Sequence, residues 1–302
     1  MTRRLDIRGH RGARALFPEN TLEGFLAAAA LGVTAFELDV AMTADGVVVV
    51  SHDPALNPDI TRDRSGAWLD RQGPLVRSLT HADLSRYDVG RIRPGSATAA
   101  LFPDQAPHDG ARIPTLAAVL AALPDTLFTI EVKTHPAHPD WTASPHVLAD
   151  ATLSVVEAAR AASRVTIESF DWRVQRHVRR VWPDIRLAWL TRAETVRDST
   201  LWWDGVLAAG SVPACVAAEG GPIWAPDHTD LTEAQIEEAH GLGLFVLPWT
   251  VNAPADMRRL IGWGVDGLIS DRPDLALGLL TGSETDASST SGHGRDRVQA
   301  PL

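Results

Sequence analysis

Short apolar runs alternate along this chain with stretches of helical periodicity, almost from the N-terminus to about residue 280. The runs that predict strands cover 5–9, 35–40, 47–51, 127–132, 165–168, 187–190, 214–217, 244–248 and 267–270, several of them bounded by Gly, Pro or Asp. Helical patterns fall between them at 21–31, 116–123, 146–162, 172–181, 232–241 and 253–262. The first begins at a threonine suited to capping and stops before Gly32. Repeated strand–helix alternation predicts parallel strands with helices packed outside. The number of units points to an α/β fold closed as a (β/α)8 barrel of the TIM type rather than an open sheet. The glycine-rich phosphate fingerprint of a dinucleotide-binding sheet is missing.

Two segments break the alternation. Residues 54–112 are too long for an ordinary loop and rich in Gly, Pro and Asp. They are read as a small capping insertion after the third strand run, with helix near 80–87, at the mouth of the barrel beside His52. Residues 282–302 hold too few apolar groups to fold and are expected to be disordered. One domain over 1–281 follows, and a barrel of that size is routine.

Composition narrows the setting. The single Cys215 precludes an internal disulfide and fits a reducing compartment. No run of 18 apolar residues exists, and the first residues show no signal-peptide core. A cytoplasmic protein with no membrane span is therefore expected. A net charge of −10 argues against nucleic acid as a partner, yet permits a small anionic substrate where local cations or a metal reverse the field. Nothing in the chain reports its oligomeric state.

The candidate chemistry sits at strand ends, where barrel enzymes keep their active sites. Glu37 and Asp39 lie two apart on one predicted strand, so they share a face. Two inward carboxylates repel unless a cation or a proton lies between them, and oxygen ligands favour a hard ion such as Mg²⁺ or Ca²⁺. A pair satisfied by barrel arginines is the plainer alternative. Glu131 is the best third ligand. Lys133 follows it on the same side and is the only lysine, since 27 of the 28 basic residues are arginine. A compact ammonium there could hold a phosphate oxygen, or simply pair with Glu131. His10 and His52 each follow a strand and are the candidate acid and base, with Arg11 placed to clamp phosphate. Trp249 and Phe170 also stand at strand ends and could line the pocket. His135, His138 and Asp140 imitate a transition-metal site, but a proline-punctuated loop is a poor frame for one.

These residues fall in ordered motifs: His10-Arg11-Gly12, Pro18-Glu19-Asn20-Thr21, Glu37-Leu38-Asp39, Thr43-Ala44-Asp45-Gly46, His52-Asp53 and Ile113-Pro114-Thr115-Leu116. They continue through Glu131-Val132-Lys133, Ser169-Phe170-Asp171, Trp249-Thr250-Val251-Asn252, Gly264-Val265-Asp266-Gly267 and Ser270-Asp271-Arg272-Pro273. Taken together, the set resembles the glycerophosphodiester phosphodiesterase family. The resemblance implies a (β/α)8 barrel, metal ligands at Glu37, Asp39 and Glu131, an acid–base pair at His10 and His52, and phosphate contacts at Arg11 and Lys133. It further implies attack by the substrate's own 2-hydroxyl through a cyclic phosphate, releasing sn-glycerol 3-phosphate and an alcohol. Ser270, where the family often has threonine, and the individual 134–140 loop bear on substrate preference. Rival readings are an enzyme that stops at the cyclic phosphate or acts on lysophospholipids, a glycosidase built on the carboxylates, and a non-catalytic phosphate-ester binder on the same barrel.

Overall fold

The protein is described by a computed structural model over residues 5–205 and 210–280; the segment 282–302 expected to be disordered lies outside the described residues. Among the described residues nine strands form one sheet. They are β1 (Asp6–His10), β2 (Ala35–Met42), β3 (Val48–Val50), β4 (Leu127–Val132), β5 (Val165–Ser169), β6 (Arg186–Thr191), β7 (Ile223–Pro226), β8 (Phe245–Val246) and β9 (Gly267–Ser270). Eight run parallel in the order β8-β7-β6-β5-β4-β2-β1-β9. Between the two ends, Ile269 N–H donates to Pro248 O at 3.0 Å, Val251 N–H to Ile269 O at 2.9 Å and Asp266 N–H to Val246 O at 3.0 Å. The result is a nearly closed barrel with helices between the strands.

Alternation along β2 shows how sequence builds the site. Phe36, Leu38 and Val40 are fully buried in the layer between strands and helices. The intervening Glu37 and Asp39 therefore face the barrel interior. Phe36 packs edge-on to Phe25 (ring centroids 5.4 Å apart) and beside Phe128 of β4 (6.2 Å), which locks the helix Leu22–Ala30 against the strands. Thr21 caps that helix, accepting from Gly24 N–H at 3.0 Å and donating to Pro18 O at 2.8 Å.

Two expectations need correction, and some elements have no counterpart in the sequence pattern. The 47–51 run is a strand, but β3 pairs antiparallel with β2 (Val40 opposite Val50), so it extends β2 upward instead of adding a barrel stave. The 214–217 run is part of the helix Val212–Ala218, started by Ser211, which accepts from Ala214 N–H. The stave expected there is β7, hidden in sequence by its brevity and by Pro222 and Pro226, with Trp224 buried and its indole N–H donating to Thr191 Oγ1 at 2.9 Å. Short helices at Ala193–Arg197 and Ser199–Trp203 also escape the periodicity.

Segment 54–112 contains the short helices His81–Leu84 and Ala97–Leu101. Its Leu56, Val76, Leu84 and Val89 pack on Ala41 and Val49, so the β2–β3 hairpin carries it. Arg62 binds Asp88 and Asp109, each at 2.6 Å, and braces its outer turns. Among the described residues no helix is long and apolar enough to cross a membrane. The Phe25–Phe36–Phe128 packing leads to one expectation: Phe25→Ala should cost about 3–5 kcal/mol in denaturant unfolding. A loss under about 1 kcal/mol would mean that the strands hold their positions without this helix.

Candidate active site

Sheet register lines up a row of carboxyl groups. Asp39 on β2 stands opposite Glu131 on β4, and Glu131 opposite Glu168 on β5. Glu37 lies one inward position below Asp39. One oxygen each of Glu37, Asp39 and Glu131 lies within 4.8 Å of the others, and all three residues are buried. Lys133 Nζ is 3.0 Å from Glu131 Oε2 and 3.4 Å from Asp39 Oδ1. Arg11 places Nε 3.3 Å from Asp39 Oδ2 and Nη1 2.9 Å from Glu19 Oε1, while its backbone N–H donates to Glu37 Oε2 at 3.2 Å. To aim both groups inward, Arg11 adopts a left-handed backbone (φ 52°), which costs a non-glycine residue on the order of 1–2 kcal/mol. Asn20 does the same (φ 54°) and donates through Nδ2 to Asp39 Oδ2 at 2.9 Å.

Each histidine is held by its own carboxylate. His10 Nδ1 lies 2.5 Å from Asp271 Oδ1, and its Nε2 is 3.6 Å from Glu37 Oε2. Asp271 is fixed in turn by Arg14 Nε at 2.8 Å and Asn252 Nδ2 at 2.7 Å. His52 Nδ1 lies 2.7 Å from Asp53 Oδ1, and Asn57 Nδ2 holds the other Asp53 oxygen at 2.9 Å. Such pairing orients a ring and leaves the second nitrogen for chemistry. Both histidines border one cavity of about 400 Å³ at the C-terminal ends of the strands.

The field at this site follows from burial and crowding. Burial pushes Glu37 well above the usual carboxylate range, helped by Asp39 and Glu168. Burial would raise Asp39 as well, but Arg11, Lys133 and His52 outweigh it and hold Asp39 well below normal. Burial lifts Glu131 to about 7 against the pull of Lys133, and Glu168 to about 8 with help from Glu131. His52 is pushed down to about 4 by desolvation, then by Lys133 and Arg11. Burial also lowers His10, although Asp271 opposes it. Four buried carboxyls thus share three nearby cations, Arg8, Arg11 and Lys133, the first of them also paired with Asp6. Asp39 Oδ1 has no hydrogen-bond donor of its own. An all-oxygen trio short of positive charge, with a buried oxygen met by Lys133 at 3.4 Å but by no hydrogen bond, suits one hard divalent cation.

The structure brings Glu37, Asp39, Glu131, Lys133, His10, Arg11 and His52 together, with Phe170 and Trp249 on the cavity wall 5.4 Å apart. It does not bring His135, His138 and Asp140 into a metal site. His138 stacks on Trp141 (4.0 Å) and His135 tilts toward the same ring. Sequence reasoning gives no role to Asp53, Asp271, Asn20 or Glu168. Asp53 adjoins His52, and Glu168 and Asp271 stand at strand ends, the same signal that selects Glu131.

The chain is similar to known proteins over most of its length. The profile of the glycerophosphoryl diester phosphodiesterase family matches residues 10–275. A probable glycerophosphodiester phosphodiesterase of Mycobacterium tuberculosis is 31% identical over 88% of this chain and 87% of its own. The glycerophosphodiester phosphodiesterase of Bacillus subtilis is 28% identical over 88% of this chain and 83% of its own. A glycerophosphoryl diester phosphodiesterase homologue from Silicibacter pomeroyi superposes with a TM-score of 0.85 at 37% identity, covering 94% of this chain and 95% of that one.

Charge crowding has a measurable signature in the metal-free protein. Below about pH 6.5 the depressed histidines add stability as pH rises, because the unfolded chain then binds their protons more tightly. Above that they are silent. Glu131 and Glu168 act in the opposite sense: their folded values exceed the unfolded one, so their contribution is present at low pH and is lost as pH rises through about 7 and about 8. The melting temperature of metal-stripped protein should fall by roughly 5 °C between pH 6.5 and 8.5, and saturating Mg²⁺ or Ca²⁺ should reduce the fall. A flat profile without metal would show that the carboxyls do not repel one another.

Proposed function

The chain belongs to the glycerophosphoryl diester phosphodiesterase family, and we propose that it hydrolyses glycerophosphodiesters to sn-glycerol 3-phosphate and an alcohol with one divalent cation, Mg²⁺ or Ca²⁺. The observation that carries this reading is the convergence on one cavity of a three-carboxylate cluster and two histidines, each held at Nδ1 by an aspartate. Neither histidine alone would be informative. Lining one cavity with Arg11 and Lys133, they match the two proton transfers that cleavage of a phosphodiester requires.

Glu37, Asp39 and Glu131 would hold the cation, which when bound supplies Lewis-acid stabilisation of charge on the phosphoryl oxygens. Arg11 and Lys133 add fixed positive charge where the phosphate sits. One histidine takes the proton of the substrate's 2-hydroxyl as its oxygen bonds to phosphorus. The other gives a proton to the leaving alcohol as the exocyclic P–O bond breaks. Water then opens the cyclic phosphate, with the proton-transfer roles reversed. His10, with Nε2 beside Glu37, is the better base. His52 is the better acid: burial depresses it first, and a bound phosphodiester offsets the Lys133 and Arg11 charges that depress it further. The one cysteine, Cys215, is free and buried, which supports a reducing cytoplasmic setting.

Purified protein should release glycerol 3-phosphate from glycerophosphoethanolamine with Mg²⁺ or Ca²⁺ and stop with EDTA. His10→Ala and His52→Ala should each lose about 10²-fold or more in kcat with circular dichroism unchanged. Either mutant near wild-type rate would remove that histidine from the mechanism. Chelator-resistant release would remove the metal.

A further inference from the structure

The N-terminal end of the barrel holds a second cavity, of about 450 Å³, that the mechanism does not use. It is lined by Arg8, Arg186 and His240, by an apolar wall of Ile223, Leu244 and Phe245, and by no carboxylate. Arg186, Ile223 and Phe245 are the first residues of β6, β7 and β8, so the hollow opens on the face opposite the catalytic mouth. Between the two cavities lies the apolar cluster of Ala188, Ile223, Leu247 and Ile269. Phe245 of the lower cavity and Trp249 of the upper one both pack against it. The three basic groups differ in what they have left to offer. Arg8 gives Nε and Nη2 to Asp6 Oδ2 (3.1 and 2.6 Å) and Nη1 to Thr129 Oγ1, which leaves part of a guanidinium's donor set unused. His240 Nε2 lies 3.0 Å from Asp266 Oδ2. Arg186 is exposed, and among the described residues its side chain has no ion pair or hydrogen bond.

The carboxylates that balance Arg8 and His240 stand outside the lining, so the cavity presents N–H donors and apolar surface together. On a chain of net charge −10 most of the surface repels anions, and here one is attracted. Arg186 is the cation without a partner, which matches one negative charge better than a polyphosphate. Ile223, Leu244 and Phe245 call for an apolar body behind that charge, and a guanidinium fork fits a carboxylate with two parallel hydrogen bonds. We propose that this lower cavity binds a monocarboxylate carried on an alkyl or aryl body. Arg186 is its cation, the unused Arg8 donors support it, and Ile223, Leu244 and Phe245 are its wall. The apolar cluster above keeps this ligand apart from the catalytic cavity, so the site is independent of the phosphodiesterase reading.

Hexanoate, titrated calorimetrically into the full chain, tests it. The acid should bind with a Kd of about 1 mM, roughly tenfold more tightly than 1-hexanol, which keeps the alkyl chain and lacks the charge. Arg186→Glu should weaken hexanoate by about tenfold or more with circular dichroism unchanged, since the exposed guanidinium ties no other described side chain down. Arg11→Ala, which removes a cation from the catalytic cavity instead, should leave hexanoate affinity as it is. No binding at about 20 mM hexanoate, equal binding of acid and alcohol, or an unchanged affinity in Arg186→Glu overturns the site. So does a loss confined to Arg11→Ala, which would put hexanoate in the catalytic cavity. Whether diesters are hydrolysed bears on none of these outcomes.

Discussion

Carboxylates that face one another across neighbouring strands of a barrel are poorly screened by water, and each raises the cost of ionising the next. Asp39, Glu131 and Glu168 stand in register on three adjacent strands, with Glu37 one layer below. Much of the surrounding structure answers that repulsion. Arg11 takes a left-handed backbone to present both its N–H and its guanidinium, and Asn20 does likewise to present an amide. Lys133 bridges Asp39 and Glu131. These cations do not neutralise the row, so part of it holds protons near neutral pH. Hydrophobic packing on the other face of the same strands, around Phe36 and Phe128, opposes the tendency of this charge to push the strands apart.

The two histidines reach the cavity by different routes. His10 ends a barrel stave and is steadied by Asp271, which follows β9, the neighbouring stave. His52 follows the antiparallel β3, so it arrives from above on the hairpin that also carries segment 54–112. The proton-transfer groups are thus mounted on separate supports, one rigidly within the barrel and one tied to the segment at its mouth. Glu19, which binds Arg11, also stands beside the second support at the small hollow lined by His52 and Asn57.

Much of this arrangement is legible in the sequence. Period-two alternation at 35–40 and 127–132 identifies which carboxylates point inward, and the lone lysine marks Lys133. The run at 214–217 misleads because Ala, Cys and Val suit a buried helix as well as a strand. In contrast, β7 is four residues long, bounded by prolines, and offers no alternation to read. The antiparallel turn of β3 is invisible because strand direction leaves no mark in an apolar run. Partner residues are harder still: Asp271 lies 261 positions from His10, and only the closing of the barrel joins them. Glu168 is a different case. It ends a strand that the apolar pattern predicts, and the rule that selects Glu131 applies to it equally.

The solitary lysine has a consequence for chemistry done on the protein from outside. Amine-directed reagents ordinarily scatter over a surface, whereas this sequence offers one ε-amine, at the centre of the carboxylate cluster. Reductive methylation with isotopically labelled formaldehyde would therefore install one side-chain magnetic-resonance probe, apart from the α-amino group. Its chemical shift would register the arrival of a metal or a phosphate ester next to it. The same scarcity leaves lysine-specific proteases one cleavage point, half-buried in the native fold.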